Sequence, residues 1–251
     1  RIACIQPGRT LTLRRTFLRP AWICKSSFRE PAAGRTGQDP RMTATPHLFC
    51  FGLGYSAGFL ARDLLARGWR VSGTCRSAEK QAALRAKGIA AHLFARDRPL
   101  DDAAHALRGV THLLSSVPPD EAGDPVLDLH RDAIDAAAPD LAWIGYLSTT
   151  GVYGDRAGGW VDEGSALTPS GERGRRRVAA ERGWLALRQP AHLFRLAGIY
   201  GPGSSALDTV REGRAKRVAK PGQVFSRIHV DDIACILLAS MAKPHPGAAY
   251  N

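Results

Sequence analysis

Apolar positions along this chain follow two rhythms in turn. Leu48-Phe49-Cys50-Phe51 is a short unbroken apolar run, the pattern of a strand buried on both faces. Phe59, Leu60, Leu64 and Leu65 follow at helical spacing. Residues 69–76 predict a second strand and its exit, residues 77–87 a helix, and residues 91–94 a short third strand. A helix over 101–108 leads to a fourth strand at 109–116, which ends at Val117-Pro118-Pro119. A helix near 124–138 precedes a fifth strand at 143–148, and residues 191–196 supply a sixth. Short apolar strands alternating with helices predict an α/β fold, with parallel pairing and helices on both faces. Right-handed crossovers then wind the sheet in both directions from its middle.

Ligands of such sheets bind beyond the carboxyl ends of the strands. Five strand exits here are rich in glycine, proline or hydroxyl residues: 52–57, 74–77, 115–119, 148–154 and 196–203. The first carries Gly52-Leu53-Gly54-Tyr55-Ser56-Ala57, a Gly-x-Gly-x-x-Ala turn between a strand and a helix. That context turns a weak pattern into a dinucleotide-binding signal and predicts a Rossmann-type, doubly wound parallel sheet. Gly52 permits the tight turn, Gly54 lets backbone approach a pyrophosphate, and Ala57 lets the helix pack closely. Tyr55 and Ser56 open the helix whose N–H groups and positive dipole end would face the phosphates. An NAD site needs an acid about 20 residues onward, on the ribose hydroxyls. Thr74 stands there instead, followed by Arg76 and Ser77. Without a carboxylate to repel it, a 2′-phosphate can be gripped by the arginine fork, so NADP is expected over NAD. Ser116, Val117 and Pro118, at the exit of the fourth strand, complete the expected cofactor wall.

Charge changes this picture little. The formal net charge is +12, but residues 1–41 hold eight arginines and Lys25 against Glu30 and Asp39, a balance of +7. The other 210 residues carry only +5 in mixed signs, an enzyme-like surface rather than a nucleic-acid stripe. The five cysteines form no C-x-x-C pair and no metal-ligand spacing, so no metal site is expected and a reducing, cytoplasmic setting is. No apolar stretch approaches 18 residues, so no membrane span is expected. Residues 1–41 lack a sustained apolar period. They are expected to be a disordered extension ahead of a natural start at Met42, with an organellar transit peptide as the alternative.

Further on, Ser148-Thr149-Thr150-Gly151-Val152-Tyr153-Gly154 resembles the extended short-chain dehydrogenase/reductase superfamily, in its epimerase/dehydratase branch. Arg195-Leu196-Ala197-Gly198-Ile199-Tyr200-Gly201-Pro202-Gly203 and Ser226-Arg227-Ile228-His229-Val230-Asp231-Asp232 resemble further motifs of the same branch. With the glycine turn, the resemblance covers residues 47–251. It implies that Thr149, next to Ser148, holds the hydroxyl that bonds a substrate oxygen beside the nicotinamide. It also implies a Tyr-x-x-x-Lys pair on the next helix. Counting back from Glu181, those places hold Arg173 and Arg177. Arg177 can still hold a ribose hydroxyl or phosphate. Arg173 cannot exchange a proton near neutral pH, because a guanidinium keeps its charge throughout the accessible range. This is an atypical member, in which His229 is the other candidate proton carrier.

The expected organisation is a dinucleotide-binding domain over 42–198 and a small, truncated substrate lobe over 199–251 with interleaved Rossmann elements. In that lobe a helix near 204–214, Val218-Ala219-Lys220, Val224-Phe225 and a helix over 231–242 are recognisable, and Trp160 sits on a glycine-rich loop that can close over the site. The resulting expectation is an NAD(P)-dependent oxidoreductase or epimerase-like enzyme acting on a small hydroxyl- or carbonyl-bearing substrate. The alternative is a non-enzymatic NADP-binding regulator or redox sensor. No nucleic-acid or membrane partner is expected, and a homodimer is left open.

Overall fold

A computed structural model describes residues 45–216 and 224–251. The expectations for residues 1–41, Met42 and Val218-Ala219-Lys220 fall outside the described residues. Strands β1 (His47–Phe51), β2 (Arg70–Cys75), β3 (Ala90–Leu93), β4 (His112–Ser115), β5 (Trp143–Thr149) and β6 (His192–Leu196) appear where the apolar runs predict them. Two three-residue strands, β7 (Gly198–Tyr200) and β8 (Arg227–His229), pair with each other. A final short strand, β9 (Ala249–Tyr250), returns to the main sheet beside β6. The order is β3-β2-β1-β4-β5-β6-β9, and every neighbouring pair is parallel. The winding reverses between β1 and β4, so their carboxyl ends open the crevice where such folds bind ligands.

Helices α1 (Tyr55–Leu65), α2 (Ala78–Arg85), α3 (Ala103–Ala106), α4 (Pro125–Ala137), α5 (Glu172–Leu185), α6 (Ala206–Arg211) and α7 (Val230–Ala242) cover the sheet or the small lobe. Their starts follow local chemistry. Ser77 accepts from the Lys80 N–H, Asp102 from that of His105, and Asp124 from those of Val126 and Leu127, with Pro125 in the first turn. Ser205 and Asp208 form a reciprocal capping box on α6.

Successive residues of a strand point to opposite faces, and here each face meets its own helices. Leu48 and Cys50 pack with Leu60, Leu64 and Leu237, from α1 and α7. Phe49 and Phe51 pack with Val126, Ile134 and Trp184, from α4 and α5. Because α7 packs on the main sheet, the chain returns from the small lobe into the principal core. The predicted helices at 101–108 and 204–214 shorten to α3 and α6, and Val224-Phe225 forms no strand. Strands β7 and β8 escape prediction because three residues are too few to show a period. Among the described residues, no helix is long and apolar enough to cross a membrane.

Candidate functional site

The glycine turn is held by groups from three strands. Gly52 has φ +84°, a conformation that costs a residue with a Cβ. Its N–H donates to Thr74 Oγ1 at 2.8 Å, and its carbonyl accepts from the Ser116 hydroxyl. A Cβ at Gly52 would press on Ser116 Oγ at 3.0 Å and Val117 Cγ2 at 3.1 Å. Gly54 is the reverse case, since a Cβ there would find nothing nearer than the Gly52 carbonyl oxygen at 4.0 Å. That empty direction belongs to a cleft of about 630 Å³ that Gly54 lines. Gly54 also starts α1 without a side-chain cap, and no acid lies in the first turn. The first amides of α1 are therefore left for a ligand, next to an open approach.

The same cleft gathers Gly52, Thr74, Arg76, Ser77, Ser116, Val117 and Pro118, residues that lie far apart in sequence. Their parts differ. Thr74 is only 1 % exposed and Ser116 donates into the turn, so both hydroxyls shape Gly52 rather than stand free. Ala57 and Ser56 are buried beneath the helix start, whereas Tyr55 reaches across and donates to the Pro202 carbonyl at 3.0 Å. The Arg76 side chain is exposed and has no hydrogen bond or ion pair among the described residues. Its carbonyl is pinned by Arg98 at 2.8 Å.

Sequence reasoning missed Lys80, Phe94, Arg96 and Asp120, which also line the cleft. Arg96 donates to Asp120 at 2.6 Å and to Asp128 at 2.8 Å, and it holds the Asp120 carboxyl below the usual carboxylate range. Arg96 sits just past β3, whose exit lacks the glycine and hydroxyl residues that mark the other five predicted exits.

At the exit of β5 the polar groups are engaged with one another. Thr149 is half-buried, and its Oγ1 accepts from the Gly151 N–H at 3.2 Å, starting a 3-10 turn over Thr150–Tyr153. Ser148 points to the other side of the strand, where its hydroxyl donates to buried Glu181. Strand alternation thus separates two neighbours that the resemblance places together. Arg177 donates to the Leu147 carbonyl at 2.8 Å and to the Tyr146 hydroxyl at 3.0 Å, so its cation lies against β5. Burial pushes the Tyr146 hydroxyl far above the ordinary phenol range. Arg173, one turn earlier on α5, is exposed and makes no hydrogen bond or ion pair among the described residues. His229 caps α7, its Nδ1 accepting from the Asp231 N–H at 3.2 Å, with the ring edge-on to Tyr200. None of these contacts joins His229 to Thr149.

A glycine cradle at the switch point, with a hydroxyl and a fixed cation at the exit of β5, is the arrangement of Rossmann-type α/β proteins of the dehydrogenase/epimerase class. Comparison with known proteins narrows this. Protein YeeZ of Escherichia coli K12 is 30% identical over 212 residues, covering 80% of this chain and 74% of YeeZ. A conserved protein of unknown function from Silicibacter pomeroyi DSS has 52% identity and a TM-score of 0.75 over 82% of this chain and 72% of its own. A Methylobacillus flagellatus structure assigned to the NAD-dependent epimerase/dehydratases has 28% identity and a TM-score of 0.64, over 82% and 74%. No protein-family model matches the chain. The chain belongs to the extended short-chain dehydrogenase/reductase superfamily, on its epimerase/dehydratase side.

Proposed function

We propose that this protein is an NADP-preferring oxidoreductase or epimerase-like enzyme acting on a small molecule that bears a hydroxyl or carbonyl group. The observation that carries the reading is the open cradle at Gly54 beside the uncapped start of α1. A pyrophosphate fits there, because backbone N–H groups and the helix dipole meet it without a side chain in the way. Arg76 would hold the 2′-phosphate, with Ser77 and Lys80 on the same wall of the cleft. Ser116, Val117 and Pro118 would border the cofactor on the β4 side, and Arg177 would hold the ribose next to β5. When bound, the nicotinamide supplies the hydride chemistry.

The chain's own part is orientation and charge. Thr149 would bond the substrate oxygen, or a water that exchanges its proton, by donating its O–H while Oγ1 accepts from the Gly151 N–H. Arg177 provides a permanent positive charge next to that position. Arg173 moves no proton. His229 would have to give up its cap on α7 to serve as proton carrier, which makes Thr149 the stronger candidate.

Titration with NADPH and NADH, followed by turnover of a panel of small carbonyl compounds, tests the reading. NADPH should bind at least tenfold tighter than NADH. Thr149→Val should lower turnover about 100-fold, the scale of losing a donor to a developing oxyanion, with NADPH affinity unchanged. Equal affinity for the two cofactors would remove the NADP assignment, and undiminished turnover would remove Thr149. The exposed Arg173, where a proton-transferring phenol is expected, supports the second reading, a redox-sensing regulator. Tight NADPH binding with no turnover of any compound would favour it.

A further inference from the structure

Arg195 and Glu181 form an ion pair at 2.9 Å with side chains only 7% and 2% exposed. Both Glu181 oxygens are engaged by Arg195, and one also accepts from Ser148. Arg195 further donates to the Tyr153 hydroxyl at 2.8 Å and the Glu163 carbonyl at 3.3 Å. Tyr153 in turn donates to Asn251 Oδ1 at 2.8 Å, and the Asn251 N–H donates to Glu163 Oε1 at 2.9 Å. Six segments therefore converge on one buried pair: β5, the 3-10 turn after it, the loop 154–171, helix α5, strand β6 and the residue after β9.

A buried ion pair adds little net stability over a well-packed apolar pair of the same volume. What it adds is direction, since each donor and acceptor fits one arrangement of the surrounding elements. The elements it joins are those of the proposed reaction site. Ser148 precedes Thr149, whose own hydroxyl starts the turn that Tyr153 ends. Helix α5 carries Arg177. The loop carries Trp160, 67% exposed beside Gly158 and Gly159, and its base is tied down by Arg156 and Thr168 donating to the Tyr153 carbonyl.

We infer that Glu181 and Arg195 are positioning residues that lock the Thr149 turn, the Arg177 helix and the Trp160 loop in one arrangement. The significance of that arrangement for turnover rests on the function proposed above, but the coupling itself does not. Hydrogen exchange on the full-length protein tests it, comparing wild type with the volume-matched double variant Glu181→Leu/Arg195→Met. Amides of 151–166 should exchange at least tenfold faster, while those of β1 and β2 stay within twofold. For any compound that wild type reduces with NADPH, kcat should fall at least tenfold. Unchanged exchange in 151–166, or an equal rise throughout the sheet, would overturn the proposal. Tyr153→Phe leaves the ion pair intact and removes only the phenol link. It should speed exchange in the same segment alone, and no change there would also count against the coupling. If wild-type protein binds no NADPH, the proposed function fails while the exchange result still decides the coupling.

Discussion

At the exits of β1 and β4 the groups that matter belong to the backbone, and at the exit of β5 they belong to side chains. The first region holds an open cradle: Gly52 is braced by Thr74 and Ser116, and Gly54 faces empty space. The second region is closed on itself. Ser148, Glu181, Arg195 and Tyr153 satisfy one another, and Arg177 is held against β5. Backbone geometry needs only small residues at fixed spacing, so it survives wide divergence in sequence. Proton chemistry depends on one side chain, and a single exchange removes it.

The sharpest way to break this comparison is at Gly54. Gly54→Val should lower NADPH affinity at least 100-fold, because a branched side chain then fills the phosphate approach. Thermal melting should be little changed, as the added atoms meet open space. Undiminished binding in a titration would mean that the cradle holds no pyrophosphate.

Next in size is acid sensitivity, since both regions hang from one sheet. Burial holds His112 down to about 4 and also lowers His47, His130 and His192. The unfolded chain protonates these groups near 6.5, before the folded chain does. Their stability is therefore full above about pH 7 and is lost as pH falls through 6.5 toward 4. His112 alone accounts for about 3 kcal/mol. Urea unfolding of wild type and His112→Phe should show that the variant's difference between pH 7.5 and pH 4 is smaller by about that amount. Identical pH slopes would show that His112 ionises freely in the fold.

Arg76→Ala should weaken NADPH by about 1.5–3 kcal/mol and leave NADH nearly untouched. Parallel losses for the two cofactors would show that Arg76 does not meet the 2′-phosphate. The smallest effect is expected at His229. His229→Ala should cost about 1 kcal/mol of stability, as loss of a helix cap does, without altering the pH dependence of turnover. A pH dependence of turnover that disappears in this variant would instead give His229 the proton-carrying part.

The legibility of the two regions in the sequence differs for the same reason. Gly52, Gly54 and Ala57 are neighbours in the chain, and the apolar run before them and the helical period after them supply the context. Arg76 is readable from the missing acid, a local fact. Arg96 and Lys80 are not, because nothing near them signals that β2 and β3 bring them to the wall that Pro118 and Asp120 form from β4. Ser148 and Thr149 are legible as a motif, but their opposite directions follow from where β5 lies between β4 and β6.

By itself the sequence determined the alternation of strands and helices, the parallel sheet and the glycine turn. Each depends on residues within one or two elements, where periodicity and steric size act directly. Only the tertiary structure decided that Thr74 and Ser116 serve the turn and that Arg195 and Glu181 gather six segments. Those outcomes depend on hydrogen bonds between residues from 14 to 98 positions apart. Such pairs leave no local pattern, because their partners meet only when the sheet has formed.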